Sequence, residues 1–151
     1  PRAVWLDTDT VLQADVAALY RLPMQHALAA ALEVASKTMR HLTLAQWYHH
    51  FYRTFERLPD QHGKLDGEWP IFNSGVMLLD LQRWRSEAVG AKFRRLVQRL
   101  NGAMGVDDQM MLNFLFAGPG RKFDVLDGSW NLGNLGCPPG GECADATAYW
   151  N

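Results

Sequence analysis

A chain of 151 residues, 48% hydrophobic, has the size and composition of one globular domain. Its formal net charge of -1, with no long run of either sign, supplies no basic face for a phosphate backbone, so a nucleic-acid partner is not expected. No apolar stretch reaches the roughly 18 residues that span a bilayer, and the longest, 27–35, is broken by Glu33.

Residues 3–6 read as a strand that runs straight into Asp7-Thr8-Asp9. Strand material this close to Pro1 suggests a piece of a longer protein, because a strand ending in carboxylates is rarely the first element of an α/β domain. Residues 15–22 predict a short helix with Asp15 at its N-cap and Pro23 beyond its end. Residues 25–36 are ambiguous: Ala and Leu favour helix by propensity, while near-continuous apolarity also suits a buried strand. Residues 43–58 predict a helix capped by Thr43, with Trp47, Phe51 and Phe55 on one face. A polar loop with Gly63 and Gly67 follows over 59–70.

Residues 71–79 read as a strand interrupted by Asn73-Ser74-Gly75, and 80–86 as a helical turn. Residues 89–100 predict an amphipathic helix with Phe93, Leu96, Val97 and Leu100 inward, and Arg94, Arg95 and Arg99 in solvent. A helix over 107–117, capped by Asp107 or Asp108, and a short strand over 123–126 complete the pattern. Residues 132–151 are Gly/Pro-rich and irregular. Strands alternating with helices predict an α/β fold with a mixed, mostly parallel sheet flanked by helices, and 1–151 as a single domain.

Asp7 and Asp9 are hard oxygen donors two residues apart, a spacing that lets both reach one Mg²⁺ or Mn²⁺ at a strand end. By itself the triplet reads more readily as a polar turn. Asn73-Ser74-Gly75 inside an apolar strand suggests a bulge or the close approach of a ligand to the backbone. A cap explains one of Asp107 and Asp108 but leaves the other, and Gln109, unaccounted for. Trp130-Asn131 suits either a ligand platform or the core. The five histidines, among them His49-His50, lack zinc-helix spacing, and no phosphate loop or dinucleotide fingerprint occurs. Cys137 and Cys143 flank a Pro/Gly loop; a disulfide and a pair of free thiols are about equally compatible with that spacing.

Taken in order, Trp5-Leu6-Asp7-Thr8-Asp9, Phe72-Asn73-Ser74-Gly75-Val76-Met77-Leu78-Leu79-Asp80-Leu81, Asp108-Gln109-Met110-Met111-Leu112-Asn113 and Trp130-Asn131 resemble glycosyltransferase family 8, nearest its eukaryotic glucoside and xyloside xylosyltransferase branch. The resemblance implies a GT-A-like fold and sugar transfer from a UDP-sugar, xylose first and glucose or galactose next, to a glycan or glycoprotein acceptor with retention of configuration. It implies Mn²⁺ (or Mg²⁺) on Asp7 and Asp9, donor contacts from Asp7, Asn73, Ser74 and Gly75, and catalytic roles for Asp108 and Gln109. It makes 25–33 a strand, against propensity. It also implies the lumen of the Golgi or endoplasmic reticulum, a compartment in which a Cys137–Cys143 disulfide could persist.

Three departures accompany it. Met110 stands where the family usually has an acid, which is expected to weaken the site. The nucleotide-binding βαβ unit that precedes the Asp-x-Asp strand, and the later His that completes the metal shell, fall outside this sequence. The chain alone is therefore expected to bind metal and UDP-sugar weakly and to transfer no sugar. A non-catalytic GT-A-like domain that binds a glycan or a partner is the alternative.

Overall fold

The computed structural model describes residues 1–34, 41–47, 67–99, 107–116 and 123–132. The helix expected beyond residue 47, with Phe51 and Phe55, His49-His50, most of the 59–70 loop, and the Cys137/Cys143 loop lie outside them.

Four strands form one sheet in the order β1-β3-β2-β4. They are β1 (Arg2–Leu6), β2 (Leu28–Leu32), β3 (Phe72–Asp80) and β4 (Asp124–Leu126). Strand β1 pairs antiparallel with β3, from Arg2 opposite Asp80 to Leu6 opposite Val76. Strand β2 is antiparallel to β3 and parallel to β4. The sheet is mixed, as expected, but among the described strands it is not mostly parallel. Three strands do run the same way; the reversed β3 inserts between β1 and β2 and turns both of its ladders antiparallel. Alternation of strands and helices carries no information about which strand takes the centre.

The ambiguous stretch is strand β2, and its sequence shows why propensity fails there. Ala27 through Ala31 are fully buried. Leu28 and Ala30 pack with Phe72, Met77, Leu112, Phe116 and Phe123. Ala29 and Ala31 pack with Leu19, Val76, Leu78 and Leu126. Successive side chains of a strand point to opposite faces, so β2 is covered on both sides and small residues fit the narrow slot. Ladders to β3 and β4 satisfy the backbone, which outweighs the weak strand preference of Ala.

Helix α1 (Val16–Tyr20) starts at Asp15, whose carboxylate accepts from the Ala17 amide at 2.8 Å. Its far end is held by Arg2, whose Nη1 donates to the Tyr20 and Leu22 carbonyls at 3.1 and 2.7 Å. A cation on the last carbonyls satisfies acceptors that a helix end leaves open. Helix α2 (Leu44–Trp47) opens with a capping box: the Thr43 amide donates to Gln46 Oε1 at 3.1 Å and the Gln46 amide to Thr43 Oγ1 at 3.4 Å. Helix α3 (Leu81–Ser86) begins on Asp80, whose carboxylate takes the Gln82 and Arg83 amides, both at 3.0 Å. The Arg83 amide, ahead of the Gln82 amide and the Arg83 charge, holds the Asp80 carboxyl below the usual range.

Helix α4 (Val89–Arg99) buries Val89 and Leu96, with Phe93 half-buried between them. Val97, expected inward, is 45% exposed. The stripe runs 89, 93, 96, and a residue one step past Leu96 turns about 100° away from it. Helix α5 (Asp108–Phe116) packs against α4 and the sheet, with six of its nine residues buried. Asp107 is its cap, its Oδ1 accepting from the Met110 amide at 2.6 Å. Among the described residues no helix is long and apolar enough to cross a membrane.

Candidate functional site

Strand β3 runs unbroken through Asn73-Ser74-Gly75, but its ladder with β2 does not. Ala30 pairs with Met77 and Leu32 with Phe72, so the short step on β2 faces a longer one on β3. Asn73, Ser74 and Gly75 lie in the stretch passed over, where the expected bulge is. The Ser74 and Gly75 amides turn to side chains, Gln109 Oε1 and Asn73 Oδ1.

On the other side of β3 the β1 ladder continues one step past Leu6, with the Asp7 amide donating to the Gly75 carbonyl at 2.9 Å. The chain then turns, the Thr10 amide donating back to the Asp7 carbonyl at 3.1 Å. The triplet is thus a turn, and it also borders a cleft. Asp7 and Asp9 both line a cleft of about 530 Å³, with Asn73, Gly75, Gln109 and Asn131. Leu6, Val11, Leu12 and Trp130 add an apolar wall. Asp7 Oδ1 accepts from the Trp5 indole N–H at 3.0 Å, which orients the carboxylate and leaves Oδ2 for a cation. Among the described residues no third His, Cys, Asp or Glu joins the pair.

The cleft floor is a network of side-chain amides. Asn73 Oδ1 accepts from the Gly75 amide and from Asn131 Nδ2, each at 2.8 Å. Gln109 Oε1 accepts from the Ser74 amide at 2.9 Å and lies 3.4 Å from its hydroxyl. Both amide NH₂ groups then converge on one carboxylate oxygen, Glu33 Oε2, at 2.8 Å from Asn73 Nδ2 and 3.1 Å from Gln109 Nε2. Asn113, one turn along α5 from Gln109, clasps β3 from below. Its Oδ1 takes the Phe72 amide at 2.9 Å, and its Nδ2 donates to the Phe72 carbonyl at 2.8 Å and the Gln109 carbonyl at 2.9 Å.

Of the residues singled out in sequence, Asp7, Asp9, Asn73, Gly75 and Gln109 meet at the cleft. Ser74 is buried and reaches it only through Gln109. Asp108 is exposed at the first residue of α5 and is not part of the cleft wall. Met110 is 1% exposed and packs with Leu44, Ile71, Met111 and Phe114, so this departure from the family pattern falls in the core and not in the cleft. Trp130 serves both readings, packing on the core and facing the cleft. It is delivered by a 3-10 turn, Gly128–Trp130, capped by Asp127. The Ser129 hydroxyl and amide hold the Asp127 carboxyl below the usual range.

Sequence reasoning missed Glu33 and Asn113. The available signal for Glu33 was an acid at the end of an otherwise apolar strand. For Asn113 it was a polar residue on the inner face of an apolar helix.

The family description "Glycosyl transferase family 8" matches residues 1–139 of the chain. An Arabidopsis thaliana protein described as "Probable galacturonosyltransferase-like 4" is 34% identical over 138 residues, covering 89% of this chain and 36% of its own length. Among solved structures, the galactosyltransferase LgtC in complex with donor and acceptor sugar analogs superposes with a TM-score of 0.55 at 20% identity, over 84% of this chain and 39% of that one. Mouse xyloside xylosyltransferase 1, in its apo form, gives 0.52 at 22% identity, over 86% and 46%. These two likenesses show a shared fold, the GT-A architecture. The chain spans less than half the length of each of these proteins.

Proposed function

The chain belongs to glycosyltransferase family 8, and on that premise we propose that it serves metal-dependent transfer of a neutral sugar from a UDP-sugar to a glycan or glycoprotein acceptor, with retention of configuration. The observation that carries this reading is the shared cleft: two carboxylates from the β1 end face amides from β3, α5 and the Trp130-Asn131 segment.

Asp7 and Asp9 would hold Mn²⁺ or Mg²⁺, whose hard-oxygen preference their carboxylates fit. Such an ion, when bound, neutralises charge on the departing diphosphate as a Lewis acid. The chain's own groups do the rest. Among the described residues, Asn73 and Gln109 each keep one N–H beyond the bond to Glu33, suited to a sugar hydroxyl, and Gly75 allows close approach to the strand. Asp108, one residue before Gln109, is proposed as its partner on the resemblance alone; it lies outside the cleft wall, and Gln109 is the one of the pair that lines it. Among the described residues, the cleft wall carries two carboxylates and no Lys, Arg or His. Xylose is the first donor sugar proposed, with glucose and galactose next. Burial of Met110 in the core removes a reason to favour a non-catalytic binding domain.

The test is calorimetric titration of UDP with and without Mn²⁺. Binding is expected to require the metal and to weaken at least about tenfold in Asp9→Ala, the loss of one charge-assisted ligand. Equal UDP affinity with Mn²⁺ and with chelator would sink the reading. We also place the protein in the secretory lumen with Cys137 and Cys143 joined. Labelling of two reactive thiols in the native protein would contradict that pairing.

A further inference from the structure

Glu33 does not line the cleft. It stands behind the two amides that do, and its Oε2 accepts from both of them. We infer that Glu33 is a positioning residue that sets which way the Asn73 and Gln109 amides face. This rests on the reading of the cleft as a sugar-nucleotide site.

An amide can rotate by 180° and exchange its oxygen for its NH₂ with little change of shape, so its orientation is decided by its partners. An ionised carboxylate only accepts. Placed against both amides, it admits their NH₂ groups and repels their oxygens. The other partners agree with it. Gln109 Oε1 falls on the Ser74 amide and Asn73 Oδ1 on the Gly75 amide and Asn131 Nδ2. Had either amide flipped, its oxygen would face a carboxylate and its NH₂ a backbone donor. These contacts point to the same orientation and, among the described residues, leave one N–H of each amide over. Glu33 can do this because it follows directly on β2, where its amide still donates to the Ile71 carbonyl at 2.9 Å. The strand fixes the carboxylate close to the bulge of β3.

Side-chain ¹H–¹⁵N spectra of the purified protein test this without any turnover. Glu33→Ala is expected to speed solvent exchange of the Asn73 Nδ2 and Gln109 Nε2 protons about tenfold, as each loses a charge-assisted bond. The Asn113 Nδ2 protons, held by backbone carbonyls alone, should not change. Acceleration at Asn113 as well would mean that Glu33 merely holds the fold together, and no change at Asn73 and Gln109 would overturn the inference.

A conservative replacement gives a second arm. Glu33→Ala should weaken UDP-xylose binding, in Mg²⁺, at least about tenfold. Glu33→Gln leaves an oxygen that can accept from both amides and should keep most of that affinity. Unchanged affinity in Glu33→Ala would refute the role of Glu33. If UDP-xylose binding by the unaltered protein does not depend on the metal, the functional reading falls, and the exchange data still decide what Glu33 does.

Discussion

Replacing Asn113 with Leu is expected to destabilise the protein by roughly 2–5 kcal/mol, since a buried polar group left without a partner costs about 1–3 kcal/mol. Asn113 is 0% exposed. Its amide acts as a strand partner for Phe72, meeting both the N–H and the C=O of that residue where the β2–β3 ladder loses register. Leu has a similar volume but neither donor nor acceptor, so both Phe72 groups lose a partner in a site closed to water. A loss of that size is a large part of the 5–15 kcal/mol by which domains are usually stable. Urea unfolding, followed by far-ultraviolet circular dichroism, measures it as a fall in midpoint. A loss below about 1 kcal/mol would show that water or a shifted strand replaces the amide. Asn113→Asp should be no milder. It keeps the acceptor for the Phe72 amide but turns a buried charge toward the Phe72 and Gln109 carbonyls.

Gly75→Val should spare most of the stability and remove most of the binding. A Cβ on Gly75 would sit 3.0 Å from Asn73 Oδ1 and 3.4 Å from Asn131 Nδ2. Asn73 must then move, and its oxygen gives up the Gly75 amide and Asn131 together. Losing two hydrogen bonds within the protein at about 0.5–1.5 kcal/mol each limits the cost in stability to roughly 1–3 kcal/mol, while the displaced Asn73 amide should lower UDP-sugar affinity at least about fivefold. Gly75→Ala should fall in between, because only the first carbon meets the neighbours. Calorimetric titration with UDP-xylose in Mg²⁺ is the measurement. Affinity within about twofold of the unaltered protein would mean that the donor sugar does not reach the amide network.

The two variants separate what β3 owes to each of its neighbours. Asn113 holds the strand from the core side, and Gly75 keeps the opposite side open to the cleft. Both follow from the same irregularity. Where the β2 ladder passes over Asn73-Ser74-Gly75, the backbone must find other partners, and the helix α5 supplies two of them, Asn113 for Phe72 and Gln109 for Ser74.

Much of this was legible from residues in order. Asp15, Thr43 and Asp107 announce helix starts because a cap acts within three residues of chain. The Asn-Ser-Gly break in an apolar run marks the bulge, because only an irregular strand tolerates it. The Asp-x-Asp turn, Asn73, Gly75 and Gln109 identify the cleft through their likeness to a known family, whose description then matches most of the chain.

What remained hidden depends on contacts between distant segments. Glu33 lies 40 residues from Asn73 and 76 from Gln109, and no local pattern joins them. The place of the reversed strand β3 between β1 and β2 is likewise decided by pairing between distant segments, and Met110 reveals its core position only once α5 is docked. Local rules of capping, periodicity and turn chemistry act over a few residues, so the sequence by itself determined the elements and the polar groups that end them. Orientation of a side-chain amide, the direction of a neighbouring strand and the face a helix buries are settled by partners from elsewhere in the chain, and only the tertiary structure decided those.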